Sequence, residues 1–338
     1  MRENSIENCL LGGALGDALG LPYEGLNAQR IKRLTHGDIR PCLIGGKGMF
    51  SDDTEHAVMT LISLWESAED PHQFARRLAR RLRWWFAAIP AGIGLATAKS
   101  SIKLWLGCNP AKSGVWSAGN GPLMRAPIIG ARFQDNGDLR TRFLDASTLI
   151  THRDPRALEA ARVIGSAAAS ACGGFSIYET LTSIEQFVES AEMRMRLSLI
   201  RESLNVQMDV GSFANQFTRK PGFVTGFAPD SAAVALYAWL RCRYDYRATV
   251  ESVIRAGGDT DTIAFIAGSL AGIDCGQENM PAAWLKGVSD WPINPTFISD
   301  LSKGTLHSYP KWPLGLLRNG FFLGIVLTHG FRRLLPPY

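Results

Sequence analysis

The chain lacks the cysteine pattern of a zinc ribbon: none of its six cysteines (Cys9, Cys42, Cys108, Cys172, Cys242, Cys275) falls in a CxxC pair. The start Met1-Arg2-Glu3-Asn4-Ser5 lacks the basic-then-apolar order of a signal peptide. With scattered cysteines, this leads us to expect a cytoplasmic protein. Long apolar runs are missing as well. The apolar stretch Phe321-Phe322-Leu323-Gly324-Ile325-Val326-Leu327 is bracketed by Arg318 and His329, too closely for a membrane span, which needs about 20 apolar residues. A docked terminal helix or an interfacial segment is expected there, and no span. Period-2 strand alternation is scarce. Acid is absent from Pro71 to Gln134, where ten Lys or Arg occur, five of them between Arg76 and Arg83. A solvated helix face accounts for this run; a positive rim for a pyrophosphate is the sharper alternative.

What is present is helix. The 338 residues exceed the ~100–200 usual for one domain, yet a large helical domain reaches this size. Apolar residues make up 46% and charged residues 20%, which excludes global disorder. A net charge of +5 favours anionic ligands only weakly, and nucleic acid is not expected. Val58, Leu61, Ile62 and Trp65 recur at i, i+3, i+4, i+7, as do Ile263, Ile266, Ala267 and Leu270. Asp70-Pro71 and Asp154-Pro155 each read as an N-cap followed by proline at the first helical position. The stretch 157–171 is rich in alanine and helix-prone. Gly12, Gly16 and Gly20 share one helix face and predict close helix packing. The Gly-, Pro- and Phe-rich segment Gly211 to Pro229 predicts a loop over the body. Together these point to one all-α domain, spanning 1–304, with 305–338 as a tail of unknown role that docks as a helix.

Two acidic clusters each lead into an amphipathic helix: Ser51-Asp52-Asp53-Thr54-Glu55 and Gly257-Gly258-Asp259-Thr260-Asp261-Thr262. Helix capping explains one acid at such a position; two acids in each first turn exceed what capping requires. If the turns meet, Asp52, Asp53, Asp259 and Asp261 cannot all stay ionised without a counter-charge. Donors that are all oxygen favour a hard divalent cation, magnesium before calcium or manganese.

These clusters resemble the (T/S)DDT and GGDTDT motifs of ADP-ribosylglycohydrolases. Three further matches follow the family's order: Gly13-Ala14-Leu15-Gly16-Asp17-Ala18-Leu19-Gly20 with Pro22 and Glu24; Gly119-Asn120-Gly121-Pro122-Leu123-Met124-Arg125-Ala126-Pro127; and Thr151-His152. The matches cover roughly residues 10–272, with a weaker one at Met280-Pro281-Ala282-Ala283-Trp284; the tail after Gly304 is not covered. The resemblance implies a single compact multi-helix domain of the ADP-ribosylglycohydrolase type. Two Mg2+ ions, with Mn2+ as a substitute, would be held by Ser51, Asp52, Asp53, Asp259, Asp261 and Thr262, serine replacing the commoner threonine at 51. It further implies cleavage of the bond from C1 of the distal ribose to a protein side chain, arginine favoured, or to another acceptor.

Asp53, Asp261 and Glu24 are then the proton-transfer candidates. Some relatives carry a catalytic Asp in the loop matching Pro90-Ala91-Gly92-Ile93-Gly94, where this chain has none. Gly119, Asn120 and Gly121 are expected to bring donors to the ribose or pyrophosphate, and His152 to hydrogen-bond near the distal ribose. Phe227 and Tyr237 are candidates for adenine stacking, and Arg125 is expected to be a buried structural arginine. A P-loop is disfavoured because Ala111 stands at the second glycine of Gly107–Ser113. The rival is an immunity or binding protein that neutralises an ADP-ribosyltransferase toxin by hydrolysis or occlusion. The first motif begins about a dozen residues from Met1, so occlusion by an N-terminal arm is not expected. A monomer is expected.

Overall fold

The computed structural model describes residues 4–305 and 309–333. Eighteen α-helices occur among them, joined by short connections and one pair of two-residue strands. Both Asp-Pro signals start helices as read. Asp70 accepts from His72 N at 2.8 Å ahead of Pro71–Ala87, and Asp154 accepts from Arg156 N at 3.0 Å ahead of Pro155–Cys172.

Two helices, Ser5–Gly20 and Thr260–Cys275, form the spine and are buried on nearly every side. Neither is amphipathic, as befits helices with no face to solvent. They pack antiparallel along the glycine stripe. A Cβ on Gly12 would lie 2.4 Å from Gly268 O, one on Gly16 2.1 Å from Ala264 O, and one on Gly20 2.3 Å from Thr260 O. Only hydrogen fits in these gaps, so the stripe sets the helix spacing. The antiparallel sense brings the last turn of one helix, with Asp17, against the first turn of the other, with Asp261. Thr260 Oγ1 donates to Gly20 O at 2.8 Å and locks that meeting point.

A short ribbon completes the junction. Leu26 pairs with Gly258 and Asn27 with Gly257. Gly258 has φ +95°, and a Cβ there would sit 1.9 Å from Val224 O, so no other residue fits this turn.

The basic run lies along Pro71–Ala87. Arg77 and Arg81 pair with Glu66 at 3.1 and 2.5 Å, while Arg76 and Arg80 are exposed. On this helix the run is thus partly solvated, at Arg76 and Arg80, and partly neutralised, at Arg77 and Arg81. The segment expected as a loop from Gly211 to Pro229 contains the end of the helix Val210–Asn215 and the start of Ala228–Arg241. Only 216–227 cross between them.

The last helix, Trp312–Arg332, is longer than the apolar stretch suggested. It has 21 residues, with a mean hydropathy of 1.3 over its most apolar 18, and so is long and apolar enough, by length and composition, to cross a membrane. This differs from the expectation because Arg318 and His329 do not bound the helix; they lie within it, buried, with polar partners in the body. Leu317, Phe321, Leu327 and Phe331 remain exposed.

Candidate active site

Ser51 caps Asp52–Trp65, its Oγ accepting from Asp53 N at 3.2 Å. Asp259 stands at the equivalent position before Thr260–Cys275 yet makes no capping bond; its Oδ2 instead accepts from Asn120 Nδ2 at 2.8 Å. Capping therefore accounts for Ser51 and leaves the acids unexplained.

The two turns meet. Asp53 Oδ2 accepts from Ser51 Oγ at 3.1 Å and from Thr262 Oγ1, also at 3.1 Å. Asp17 joins them: one carboxylate oxygen each from Asp17, Asp53 and Asp261 lie within 4.8 Å of one another. All three aspartates are buried, and Asp53 Oδ1 and Asp261 Oδ1 have no hydrogen-bond partner. Asp52 is half-buried at the first helical position, and Asp259 is half-buried opposite.

Burial raises the Asp53 carboxyl well above the usual carboxylate range, and Asp52, Asp17 and Asp259 push it further. Burial followed by Glu24, Asp259, Asp53 and Asp17 does the same to Asp261. Asp52 is raised by loss of water and then by Asp17, Glu55 and Glu24. Glu24 is exposed as a residue, but its carboxyl is crowded; desolvation and then Asp259 raise it to about 7, against the pull of Arg333. Carboxylates that raise one another in this way want a cation among them. Two buried oxygens without partners and an all-oxygen donor set fit a hard divalent ion.

Asp17 was not among the residues expected to form the site, although the Gly16-Asp17 step was visible in the sequence. An acid set among the small and apolar residues 10–20 is the signal that could have found it. It accepts from Ser51 N at 2.9 Å, Thr54 N at 3.3 Å and Thr54 Oγ1 at 2.5 Å, and so holds the first turn of the neighbouring helix. Those bonds offset part of the burial, leaving its carboxyl raised to about 6.

Asn120 is held by Asp259, by Ser231 Oγ at 3.0 Å and through its own N–H by Gly226 O at 2.9 Å. Gly119 pairs with Phe227, and its α-carbon faces His152 so closely that a Cβ would lie 3.1 Å from Nε2. A Cβ on Gly121 would stand 3.0 Å from the same ring. The loop, His152 and Phe227 are thus one cluster beside Asp259. Burial and then Arg125 push His152 down to about 3, so its ring is neutral. Phe227 is half-buried with the guanidinium groups of Arg156 and Arg196 at 5.4 and 5.6 Å from its ring centre.

Tyr237 does not join them. It is fully buried in the core, stacked on Phe213 at 4.1 Å with its hydroxyl donating to Met208 O, so adenine cannot reach it. Its helix is apolar on every side, which hid the direction it faces. Arg125 is the buried structural arginine expected: it donates to Ser147 Oγ, Ser147 O and Thr151 Oγ1 and contacts His56 Nδ1. Gly92 lies against Asp52, where a Cβ would be 3.7 Å from Oδ1. The acid-free loop therefore borders the carboxylates.

The family profile of ADP-ribosylglycohydrolase matches residues 1–313. The chain belongs to the ADP-ribosylglycohydrolase family. An uncharacterized protein of Archaeoglobus fulgidus is 29% identical over 85% of this chain and 92% of its own length. ADP-ribosylhydrolase ARH3 of Gallus gallus is 26% identical over 82% and 86%. The ADP-ribosyl-[dinitrogen reductase] glycohydrolase of Rhodospirillum rubrum is 25% identical over 81% and 87%. A solved structure described as an ADP-ribosylglycohydrolase-related protein complex superposes with a TM-score of 0.66 at 25% identity, covering 94% of this chain and 98% of the other. This ADP-ribosylglycohydrolase is therefore a glycohydrolase enzyme with ADP-ribose hydrolase activity and the all-helical fold of its family, and its buried aspartate triad is able to hold a metal.

Proposed function

We propose that the enzyme removes ADP-ribose from a modified protein side chain, with arginine as the preferred acceptor. Two divalent ions, magnesium or manganese, are held by Ser51, Asp52, Asp53, Asp259, Asp261 and Thr262. The observation that carries this reading is the convergence of two distant acidic turns around the unpartnered buried oxygens of Asp53 and Asp261. Bound divalent ions supply the missing counter-charge and a firm hold on a sugar diol.

As the bond from C1 of the ribose to the acceptor nitrogen breaks, positive charge develops on the ring; water bonds to C1, a carboxylate takes its proton, and the acceptor departs with the electron pair and a proton. Asp53 and Asp261 supply negative charge beside the ring, and Ser51 and Thr262 keep Asp53 in one rotamer. No acid lies in the loop beside Asp52, so proton transfer falls to Asp53, Asp261 or Glu24. Without metal, desolvation and then Asp259 raise the Glu24 carboxyl above the ordinary carboxylate range, and its exposed position leaves it open to proton exchange with water. Asn120, oriented by Asp259 and Ser231, offers its loop to the ribose and pyrophosphate. His152 remains neutral beside it and serves as a hydrogen-bond partner. Phe227 presents a ring for the adenine.

The test is release of ADP-ribose from arginine- and serine-modified proteins, with magnesium, with manganese and with EDTA. Faster release from arginine that stops in EDTA supports the reading. Undiminished release after all divalent ions are removed overturns the ion assignment, and preference for serine overturns the acceptor. Protection against a transferase toxin that survives Asp52→Ala with Asp53→Ala would favour occlusion instead.

A further inference from the structure

The helix Trp312–Arg332 extends well past the family match, which ends at residue 313, yet it grips the segments that carry the site. Arg318, 4% exposed, is central. Its Nη2 donates to Phe50 O at 2.6 Å and to Asp290 Oδ2 at 2.6 Å. Asp290 Oδ2 in turn accepts from Phe50 N at 2.9 Å, so both polar groups of the Phe50 backbone are taken by this pair. Arg318 Nη1 also lies 3.6 Å from Glu55 Oε1, which belongs to the helix that starts at Asp52. Arg318 therefore holds the chain at residue 50 and again at residue 55, on both sides of the Ser51–Asp53 turn. At the far end of the same helix, His329 Nε2 lies 3.0 Å from Pro22 O and Arg333 Nη1 donates to Glu24 O at 2.9 Å.

We infer that the C-terminal helix is a working part of the site and that Arg318 is a positioning residue, setting the Ser51–Asp53 turn through Phe50, Asp290 and Glu55. Ligand atoms for a hard ion must be held to within about 0.5 Å, and removing an outer contact of this kind costs about 10- to 100-fold in metal affinity. A planar, forked cation meets three acceptors at once, which a lysine cannot reproduce. The inference rests on the assignment of Ser51–Asp53 as ion ligands, and the experiment separates the two.

Manganese affinity is measured by calorimetry on the full chain for the unsubstituted protein, Arg318→Met and Arg318→Lys. Hydrogen exchange at the Ser51, Asp53 and Thr54 amides is followed in EDTA. The expected result is at least tenfold weaker manganese binding for R318M, about threefold for R318K, and faster exchange at those amides in both. Turnover at saturating manganese should fall less than the affinity does. If R318M does not fold, R318K, which keeps the charge beside Glu55 and Asp290, carries the test. A lower melting temperature with unchanged manganese affinity and unchanged exchange at 51–54 would overturn the inference and leave the helix a structural brace. If the unsubstituted protein binds no manganese, the ion assignment fails, while the exchange data still decide whether Arg318 orders the turn.

Discussion

Thr262 Oγ1 donates to Asp53 Oδ2 at 3.1 Å, across 209 residues of chain. This bond joins the first turns of two helices, and the chemistry of the site depends on their meeting.

Asp53 is buried with one oxygen lacking a partner and with three other aspartates raising its carboxyl. Asp53→Asn removes a charge that is uncompensated without metal. We expect the metal-free protein to gain about 1–3 kcal/mol of stability, while stabilisation by added manganese disappears and turnover falls by about two orders of magnitude or more. Denaturant melts with EDTA and with manganese check the first two, and ADP-ribose release checks the third. Loss of stability in EDTA would argue against an uncompensated charge at this position.

A pH dependence follows with a definite sign. Asp17 and Glu24 are raised to about 6 and about 7, above the ordinary carboxylate range. Folding therefore favours their protonated forms. Their contribution to stability is present below about pH 4 and is lost as pH rises through about 6 and then about 7; the buried Asp17 accounts for about 1–3 kcal/mol of it, and the exposed Glu24 for less because solvent screens its charge. In EDTA the melting temperature should fall between pH 5 and pH 8. Saturating manganese should flatten or reverse that slope, because metal binding favours the ionised carboxylates. A metal-free protein whose melting temperature climbs across this range would contradict the crowding of acids.

Gly16→Ala places a methyl group 2.1 Å from Ala264 O, on rigid helix backbone. The two central helices must separate, at a cost of about 1–3 kcal/mol or more. The same shift moves Asp17 away from Asp261, so manganese affinity should fall along with stability. Gly320→Ala, with open space around its α-carbon in an exposed helix interior, is the control and should leave manganese affinity unchanged while raising stability by up to about 1 kcal/mol. Denaturant unfolding and calorimetry measure both quantities.

Asn120 ties its loop to Asp259 and Ser231. Asn120→Ala should weaken substrate binding by about 1–3 kcal/mol, seen as a higher KM, with a smaller effect on manganese affinity. Equal losses in both would mean that the side chain acts mainly on the metal site.

Much of the site was legible because its chemistry is local in the chain. Ser51–Thr54 and Asp259–Thr262 each concentrate oxygen donors in one helical turn, and Gly12, Gly16 and Gly20 announce the close packing that joins them. Asp17 was harder to assign, because one acid among the small and apolar residues at the end of a helix shows no partner until the neighbouring turn lies against it. Tyr237 misled because an aromatic on a helix buried all round carries no sign of the direction it faces. Arg318 and Asp290 were not legible at all. Each is an ordinary charged residue in sequence, and their role exists only where they converge on the Phe50 backbone.

Residue order alone determined the helical class, the caps, the donor chemistry of the two acidic turns and the family to which the chain belongs, since these depend on neighbours within a few residues. Tertiary structure alone decided that the turns meet, that Asp17 sits between them, and that the last helix binds the segments on either side. These are contacts between residues from 34 to more than 200 positions apart. Whether they form depends on how closely two glycine-striped helices approach, a distance set by packing across the whole core.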